Sequence, residues 1–483
     1  MKVCLVNPTT PKPMWGLSPN LGIAYIAAYL KRNDIDVKIL DRYALLKRNK
    51  SFEVVNKKTR KFLMQYKPDF IGISATSPLI NDSYLVARIA KEELPSSKVF
   101  LGGVHPSALP KKSLDGSEDI DLVVVGEGEL TTLDLVGDKK LSEVQGIVYR
   151  ENGNIKVNEK RKPISNLDIL PFPARELLDM DLYLQPNSDV IRGIYLRATS
   201  IFTSRGCTHK CAYCSGGLVF SNCLRFHSPE YVIREIGHLV EKYKVEGLSF
   251  CDDQFLAYKK RIEEICRKMI ETGLNTKVKW EANVRSDAIN EPILRLMKKA
   301  GCVQLGYGFE SGSQRILDLM NKKSKIETNF AAGRLTKKIG IRILANMIMG
   351  MPTETKEEII ASFRFLERLE PEFTGLFKLI PLPATQIWEY LEKKQKAPKD
   401  FKDYDFLITS FNFTKVDDKT FNRLFDEFLS NNEIPGNIKN EIVATMKYSP
   451  HKLKFLFKRF PRLFAGYVIC KLGLRERIQK IIS

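Results

Sequence analysis

The segment Cys207-Thr-His-Lys-Cys211-Ala-Tyr-Cys214 carries three closely spaced cysteines directly after the apolar stretch IFTSRG at residues 201–206. Thiolates are the ligands that iron–sulfur clusters prefer, and three of them leave one iron of a four-iron cluster open to another molecule. The spacing therefore predicts a 4Fe-4S cluster on a loop that follows a strand. The alternative is a structural zinc site. It would be completed by one of three residues nearby: Cys223, His209 or His227.

Strands and helices alternate around this loop. Six apolar segments are predicted as strands: IFTSRG, GLSFCDD, VKWEANV, VQLGYGFE, RILANMIMG and TGLFKLIPLP. Amphipathic helices, such as the one expected at residues 291–300, separate them. Six such units predict a partial (β/α)6 barrel, whose functional groups lie on loops at the carboxyl ends of the strands. We expect this barrel at residues 191–385 and a mainly helical region at 386–483.

The first part of the chain has the same alternation. Strands are expected at KVCLV, DVKIL, FIGIS, KVFLGG and DLVVVGEGE, and the first helix is expected to begin after Ser18. Five such strands predict an α/β fold with a doubly wound parallel sheet, a Rossmann-like domain at residues 1–136. A hairpin that turns at Asn152-Gly153 and the Pro-rich segment LDILPFPAR follow. Residues 137–190 are therefore expected to link the two domains.

Composition limits the kind of protein. The 483 residues are 43% hydrophobic and 28% charged, values typical of a globular multidomain chain. The start of the sequence does not resemble a secretory signal, and no run approaches the roughly 20 apolar residues that span a bilayer, so a cytoplasmic location is expected. Nine cysteines, three of them clustered, favour metal ligation over a secreted disulfide framework.

Residues 201–383 resemble the radical SAM superfamily, whose members cleave S-adenosylmethionine (SAM) at an iron–sulfur cluster. Besides the cysteine loop, the segments SFCDDQF, GYGFESG and MGMPTET match the family's motifs in the right order. The resemblance implies SAM contacts from six residues: Tyr213, Asp252, Glu310, Ser311, Gly350 and Pro352. A purely structural role is the alternative for Asp252 and Glu310. The sequence departs from the family at Ala384, where Gly is usual.

The first domain resembles the cobalamin-binding domain of the cobalamin-dependent radical SAM class. The resemblance rests on LGGVHP at residues 101–106, on VGEGE at 125–129 and on a polar loop after the third strand. It implies cobalamin contacts from eight residues: Ser74, Thr76, Ser77, Gly102, Gly103, His105, Gly126 and Glu127. Because the DxHxxG motif of other cobalamin enzymes is absent, His105 is either a cobalt ligand or an ordinary loop histidine. A degenerate domain that has lost cobalamin is a further alternative.

The two resemblances together imply an enzyme with three cofactors: a 4Fe-4S cluster, SAM and cobalamin. An external one-electron reductant would reduce the cluster, SAM would yield a 5′-deoxyadenosyl radical, and methylcobalamin would methylate an unactivated carbon of a small-molecule or lipid-like substrate. The sequence identifies no catalytic side chain. One alternative is anaerobic oxidative cyclisation, as in porphyrin-ring cyclases. A redox-sensing iron–sulfur binding protein is the alternative from a different class.

A basic segment ends the sequence. The net charge is +20, and residues 440–483 contain ten Lys and Arg against two Glu. From Lys452 onward, basic residues alternate with Phe and Leu, a pattern suited to peripheral contact with an anionic membrane. A helical lid on the barrel is the alternative. Nucleic acid is the least favoured partner, because no RNA-binding module is recognisable.

Overall fold

Two β-sheets organise the protein. The computed structural model describes residues 1–11, 18–137, 139–398, 400–401, 404, 409–429 and 434–452. The predicted α/β class is confirmed, because a doubly wound sheet comes first and a partial barrel of six parallel strands follows.

The first sheet has seven strands: β1 Lys2–Asn7, β2 Asp36–Asp41, β3 Phe70–Ser74, β4 Lys98–Gly102, β5 Leu122–Val124, β6 Ile147–Glu151 and β7 Asn154–Val157. Their order is β2-β1-β3-β4-β5-β6-β7, and the first five run parallel. Strands β6 and β7 form the predicted hairpin, in which Asn152 and Gly153 have φ angles of 51° and 78°. The hairpin therefore belongs to the first sheet.

Seven helices accompany this sheet: α1 Leu21–Arg32, α2 Arg42–Asn49, α3 Phe52–Tyr66, α4 Ile80–Glu93, α5 Val104–Ala108, α6 Pro110–Asp115 and α7 Glu129–Val136. Successive residues of a strand point to opposite faces, so each face has its own core. Val3 and Leu5 of β1 pack with α1, whereas Cys4 and Val6 pack with α4.

The first helix begins slightly later than the sequence predicts. Asn20, and not Ser18, caps it, since the Asn20 side chain accepts a hydrogen bond from the Ile23 amide. Ser18 instead places its hydroxyl 3.2 Å from that of Ser200 at the start of the barrel.

The Pro-rich connection packs against both sheets. The Tyr183 hydroxyl donates a 2.6 Å hydrogen bond to Asp41 at the end of β2. Arg175, which is buried, donates a 2.8 Å hydrogen bond to Glu235 on the first long helix of the barrel. The connection is therefore a buried strap that touches both domains.

The second sheet has six parallel strands in the order β8-β11-β12-β13-β14-β15, and a short antiparallel pair, β9 and β10, lies beside it. The strands are β8 Ala198–Ile201, β9 Ser204–Arg205, β10 Arg225–Phe226, β11 Gly247–Phe250, β12 Lys279–Val284, β13 Cys302–Glu310, β14 Arg342–Met349 and β15 Phe373–Lys378. Strand β8 ends before the predicted boundary at Gly206. The chain leaves the sheet because the amides of Thr203 and Ser204 donate to the Asp252 carboxylate after β11.

Twelve helices complete the described chain: α8 Met180–Tyr183, α9 Gly217–Phe220, α10 Pro229–Tyr243, α11 Lys259–Glu271, α12 Leu274–Lys277, α13 Glu291–Lys299, α14 Gln314–Leu319, α15 Ile326–Ile339, α16 Lys356–Leu369, α17 Gln386–Lys393, α18 Asp418–Phe428 and α19 Ile434–Tyr448. After α19, Lys452 forms a 2.8 Å ion pair with Glu246, which precedes β11. This part of the C-terminal region therefore lies at the amino ends of the barrel strands.

Candidate functional site

Three cysteines border one space at the carboxyl ends of the barrel strands. Cys207, Cys211 and Cys214 line a cavity of about 260 Å³ together with Asp253 and Thr385; we call it the cysteine cavity. In the part of the chain that the structure describes, no three His, Cys, Asp or Glu side chains are placed to hold a single metal ion. A cubic cluster needs thiolates at separate corners around a space, and all three cysteines of this loop border the same space.

Neighbouring backbone fixes the cysteine loop. The Ala212 amide donates a 2.8 Å hydrogen bond to Met320 O, and the Asn321 side chain donates one of 2.7 Å to Lys210 O. Burial raises the pKa of the Cys207 and Cys214 thiols. The thiols are therefore protonated at neutral pH, and binding of a cluster would release their protons.

The residues that would complete a zinc site lie apart from one another. His227 is buried, stacks on Tyr231 with 3.9 Å between ring centroids, and lies 3.2 Å from Asp168. Cys223 is exposed, and it is not among the residues that border the cysteine cavity. Only His209 of the three borders this cavity. Because no three of the described His, Cys, Asp and Glu side chains are placed to hold a single metal ion, the arrangement does not favour the zinc interpretation.

Glu310 ends β13 next to the cysteine loop, with a φ angle of 64° that is uncommon outside glycine. Its Oε1 atom accepts a 2.9 Å hydrogen bond from the Tyr213 hydroxyl and a 2.8 Å bond from Lys322 Nζ. A β-carbon at Gly308 would lie 2.2 Å from Glu310 Oε1, so this glycine makes room for the carboxylate. Lys322 is not predictable from the sequence, because no local motif distinguishes it from other lysines.

The two aspartates after β11 have different surroundings. Asp252 is buried, and its carboxylate accepts hydrogen bonds from the Thr203 amide at 2.6 Å, the Thr203 hydroxyl at 2.5 Å and the Ser204 amide at 3.2 Å. Asp253 borders the cysteine cavity, where burial, aided by Asp252, raises its pKa to about 6. In this structure Asp252 orders the chain before the cysteine loop, and Asp253 is the one carboxylate among the described residues that line the cysteine cavity.

The remaining predicted SAM contacts lie on two turns near the cysteine loop. The Ser311 hydroxyl is buried and lies 3.3 Å from that of Ser362 on α16, so it faces the helix layer. Gly350 and Pro352 belong to a turn whose Met351 packs in one apolar cluster with Ala212 and Tyr213. This turn is therefore in contact with the cysteine loop, whereas the Ser311 hydroxyl points away from it.

A narrow slot lies at the carboxyl ends of β1, β3, β4 and β5. Six glycines border it, so we call it the glycine slot; they are Gly22, Gly72, Gly102, Gly103, Gly126 and Gly128. Gly103 has a φ angle of 105°, and a β-carbon there would lie 2.8 Å from Ala75 O. Ser74 and Glu127 also border the slot. Its mainly apolar walls suit a flat, apolar group, and side chains at the glycine positions would obstruct it.

Thr76 and Ser77 border a different cavity, which has about 350 Å³ and apolar walls. We call it the apolar chamber; its other lining residues are Pro78, Leu79, Val104, Ala108, Ser215, Leu382 and Pro383. None of these described lining residues is charged. The chamber lies between the first domain, the cysteine loop and the end of the barrel.

His105 lies behind both spaces. It is buried, its Nδ1 is 2.9 Å from the Ser77 hydroxyl, and it packs edge-on against Phe401. Burial lowers its pKa to about 4. His105 is not among the described residues that line the glycine slot or the apolar chamber, so this arrangement favours a structural role over cobalt ligation.

One stretch of chain borders all three spaces. Cys207, Cys211 and Cys214 line the cysteine cavity, Ser215 lines the apolar chamber, and Val219 and Phe220 line the glycine slot. Residues 207–220 therefore connect the predicted cluster site to the predicted cobalamin site.

Comparison with known proteins identifies both domains. Residues 201–366 match the Radical SAM superfamily, and residues 16–136 match the B12 binding domain. An uncharacterized methyltransferase of Pyrococcus horikoshii, PH0819, is 35% identical over 81% of this chain and 83% of its own. The anaerobic magnesium-protoporphyrin IX monomethyl ester cyclase of Rubrivivax gelatinosus is 28% identical over 86% of this chain and 73% of its own.

Among solved structures, the fold is similar to that of TsrM from Kitasatospora setae, a radical S-adenosylmethionine methyltransferase with cobalamin and a [4Fe-4S] cluster bound. The TM-score is 0.67, with 16% identity over 81% of this chain and 78% of that chain. At this identity the similarity establishes the order and architecture of the two domains.

Proposed function

Because this chain belongs to the radical SAM superfamily and carries its B12 binding domain, we propose that it methylates an unactivated carbon of an apolar small molecule. The supporting observation is that residues 207–220 border the cysteine cavity, the apolar chamber and the glycine slot. When bound, the cluster with SAM supplies a 5′-deoxyadenosyl radical, and cobalamin supplies the methyl group. An external one-electron reductant is required.

The cysteine loop holds the cluster through Cys207, Cys211 and Cys214. Two hydrogen bonds keep the loop in place before the cluster binds: the Ala212 amide donates to Met320 O, and the Asn321 side chain donates to Lys210 O. Preorganised ligands lose little conformational entropy on binding. Asp253 contributes a carboxylate at the edge of the same cavity.

Glu310 binds the SAM ribose in this proposal. Both hydrogen bonds that described residues donate to its carboxylate go to Oε1, so Oε2 is available to accept a ribose hydroxyl. Lys322 and Tyr213 hold the side chain in one orientation, which favours binding over a freely rotating carboxylate. The turn at Gly350 and Pro352 contributes backbone surface beside the cysteine loop.

The first domain holds cobalamin at the glycine slot. Gly102, Gly103 and Gly126 let the backbone approach a flat ring closely, and Ser74 provides a hydroxyl at the edge. Thr76 and Ser77 lie at the adjoining apolar chamber, where cobalamin and substrate would meet.

The methyl acceptor is an apolar or lipid-like molecule in this proposal, because hydroxyls are the only side-chain polar groups among the described residues of the apolar chamber. Apolar walls stabilise a bound hydrocarbon by removing its surface from water, by about 25 cal/mol for each Å². They also exclude water from the site.

The proposal is tested with SAM that carries an isotopically labelled methyl group. The anaerobic, fully loaded enzyme is given a reductant and separate apolar and polar metabolite fractions, and products are followed by mass spectrometry. We expect a labelled methyl group in a compound of the apolar fraction. A product that loses hydrogen without gaining label would instead indicate oxidative cyclisation, and label in the polar fraction alone would contradict the apolar substrate class.

Two matched tryptophan variants distinguish the effect of filling the apolar chamber from a general effect of adding a tryptophan to the protein. Leu382→Trp fills the apolar chamber and should abolish product formation without loss of iron. Met64→Trp, at a position on α3 that is 54% exposed, should keep wild-type turnover. Equal turnover in the two variants would exclude the chamber as the substrate site.

We also propose that the basic end of the chain contacts anionic membrane. Most of this segment, residues 453–483, lies outside the described residues, and no helix in the described part could span a membrane. Each basic residue near an anionic surface contributes about 1 kcal/mol, screened within roughly 10 Å at 0.1 M salt. Full-length protein should sediment with anionic liposomes at low salt, whereas a chain ending before Tyr448 should not; equal sedimentation would contradict this contact.

A further inference from the structure

A buried carboxylate of the first domain binds both ends of the cysteine loop. Glu127 Oε1 accepts a 2.9 Å hydrogen bond from Arg205 Nη1, and Arg225 Nη1 lies 2.9 and 2.8 Å from the two carboxylate oxygens. The Ile164 amide donates a further 2.8 Å bond to Oε2. A carboxylate has about four acceptor positions, so the protein itself occupies those of Glu127. Glu127 therefore has no free acceptor for a hydrogen bond to cobalamin, although it borders the glycine slot.

The two arginines flank the cysteines in sequence and pair with each other in space. Arg205 ends β9 two residues before Cys207, and Arg225 begins β10; the two residues are direct partners across the β9–β10 pair. The strands thus close a loop of residues 206–224 that contains all three cysteines. Both ends of this loop are tied to Glu127.

A second carboxylate completes the cluster of charges. Arg205 Nη2 lies 2.6 Å from Glu129 Oε1, and the Arg205 guanidinium is stacked between the rings of Tyr25 and Phe220, 5.2 and 5.1 Å from their centroids. The planar fork of arginine suits such bidentate, stacked contacts better than a lysine would. Four buried groups, two carboxylates and two guanidiniums, balance in charge; we call Glu127, Glu129, Arg205 and Arg225 the interdomain lock.

The interdomain lock also borders the glycine slot. Glu127, Glu129 and Arg205 line the slot, as do the two rings that sandwich Arg205. A molecule bound in the slot therefore contacts groups that fix the ends of the cysteine loop. Binding in the glycine slot would then affect binding at the cysteine loop, and by thermodynamic linkage binding at the loop would affect binding in the slot equally.

From this arrangement we propose that Glu127 is a positioning residue through which cobalamin in the glycine slot stabilises the cluster on the cysteine loop. The proposal rests on the proposed function, since it assumes that both cofactors bind. Glu127→Gln keeps the shape and the bond from Ile164 but leaves two buried guanidiniums with one carboxylate. Removing one partner of a buried charge pair leaves an uncompensated charge, so the ends of the loop should loosen.

Iron release tests the proposal. The anaerobically reconstituted full chain is mixed with an iron chelator, with and without hydroxocobalamin, and the rate of iron loss is followed by absorbance. In the wild type, hydroxocobalamin should slow iron release. In E127Q, release should be at least about tenfold faster, the effect expected for loss of a hydrogen bond to a charged group, and hydroxocobalamin should no longer slow it.

A matched control is the buried pair Arg42–Asp82, in which Asp82 accepts bonds of 3.0 and 2.6 Å from Arg42 within the first domain, away from the cysteines. D82N should lower thermal stability while the response of iron release to hydroxocobalamin stays as in the wild type. If E127Q does not fold, R225K serves instead, because it keeps the charge and loses the second nitrogen, Nη2, which donates to Phe220 O in the cysteine loop; it should release iron faster than wild type.

The outcomes separate the two proposals. A wild type that binds no iron or no hydroxocobalamin would overturn the proposed function and this inference with it. A wild type that binds both, together with E127Q or R225K that keeps the full response to hydroxocobalamin, would overturn the role of Glu127 alone. The same loss of response in D82N would also overturn it, because general destabilisation would then explain the effect.

Discussion

Glu354 gives a pH dependence that can be measured directly. It is 1% exposed at the start of the segment after β14, and its Oε2 accepts hydrogen bonds of 2.7 Å from the Gly350 amide and 3.0 Å from the Met351 amide. Burial raises the pKa of Glu354 from 4.5 to about 7, although the two amides act in the opposite direction. The free energy of unfolding of the wild type should fall as pH rises and Glu354 ionises. We predict that Glu354→Gln abolishes this part of the pH dependence.

The sign and size follow from linkage between protonation and folding. The folded protein prefers the protonated carboxyl, so this contribution to stability is complete below pH 4.5 and is lost as pH rises through about 7. A shift from 4.5 to about 7 corresponds to about 3 kcal/mol. Both amides donate to a single oxygen, so glutamine can keep these bonds with its amide carbonyl and cannot ionise.

Thermal unfolding at pH 5 and pH 8, without SAM, measures the effect. About 2.5 kcal/mol of this contribution is lost between pH 5 and pH 8. For a domain the size of the barrel, 1 kcal/mol changes Tm by about 2–4 °C, so the Tm of E354Q should fall roughly 5–10 °C less than that of the wild type between the two pH values. Glu53→Gln on α3 is the control, since the Glu53 side chain is 76% exposed. Equal changes of Tm in wild type and E354Q would refute this account of Glu354.

Three further predictions concern the cofactor sites. Replacing Cys207, Cys211 and Cys214 together by Ala should abolish iron binding and the cluster absorbance near ~400 nm, because thiolates are the cluster's natural ligands; iron retained by the triple variant would contradict the assignment. Glu310→Gln should weaken SAM binding by roughly tenfold in equilibrium titrations, through loss of a charged acceptor; unchanged affinity would assign Glu310 a structural role. Gly103→Trp should prevent cobalamin binding while iron content stays normal, because a β-carbon there already meets Ala75 O at 2.8 Å; a normal cobalamin spectrum would rule out the glycine slot.

Local patterns in the sequence were enough for the architecture. The run VCLV in β1 is buried on both faces, as expected for a strand inside a parallel sheet, and the Asn152-Gly153 pair specified the hairpin turn. Each of these signals is contained within a few residues. A doubly wound parallel sheet then followed from general rules of chain connection.

Side-chain roles were harder to predict, because they depend on contacts between distant segments. Asp252 and Asp253 are adjacent in sequence, yet their surroundings differ. Only the structure shows that Asp252 accepts hydrogen bonds from the amides of Thr203 and Ser204, whereas Asp253 lines the cysteine cavity. The difference depends on where β8 ends, and propensity locates strand ends poorly. Lys322 could not be recognised from the sequence either, because its role depends on its contact with Glu310 in the folded chain.

Glu127 lies where the sequence motif predicts, at the glycine slot, but its carboxylate is paired with two arginines. The motif around it placed Glu127 at the end of β5, and it does border the glycine slot there. Its partners Arg205 and Arg225 lie 78 and 98 residues further along the chain, and only the fold brings them together. Burying a carboxylate removes its hydration, and this cost must be offset by contacts with opposite charges. Here Arg205 and Arg225 of the barrel provide those contacts, so the ion pairs also join the two domains. The same contacts hold the ends of the loop that carries Cys207. For this reason we propose that the placement of the cluster depends on the first domain.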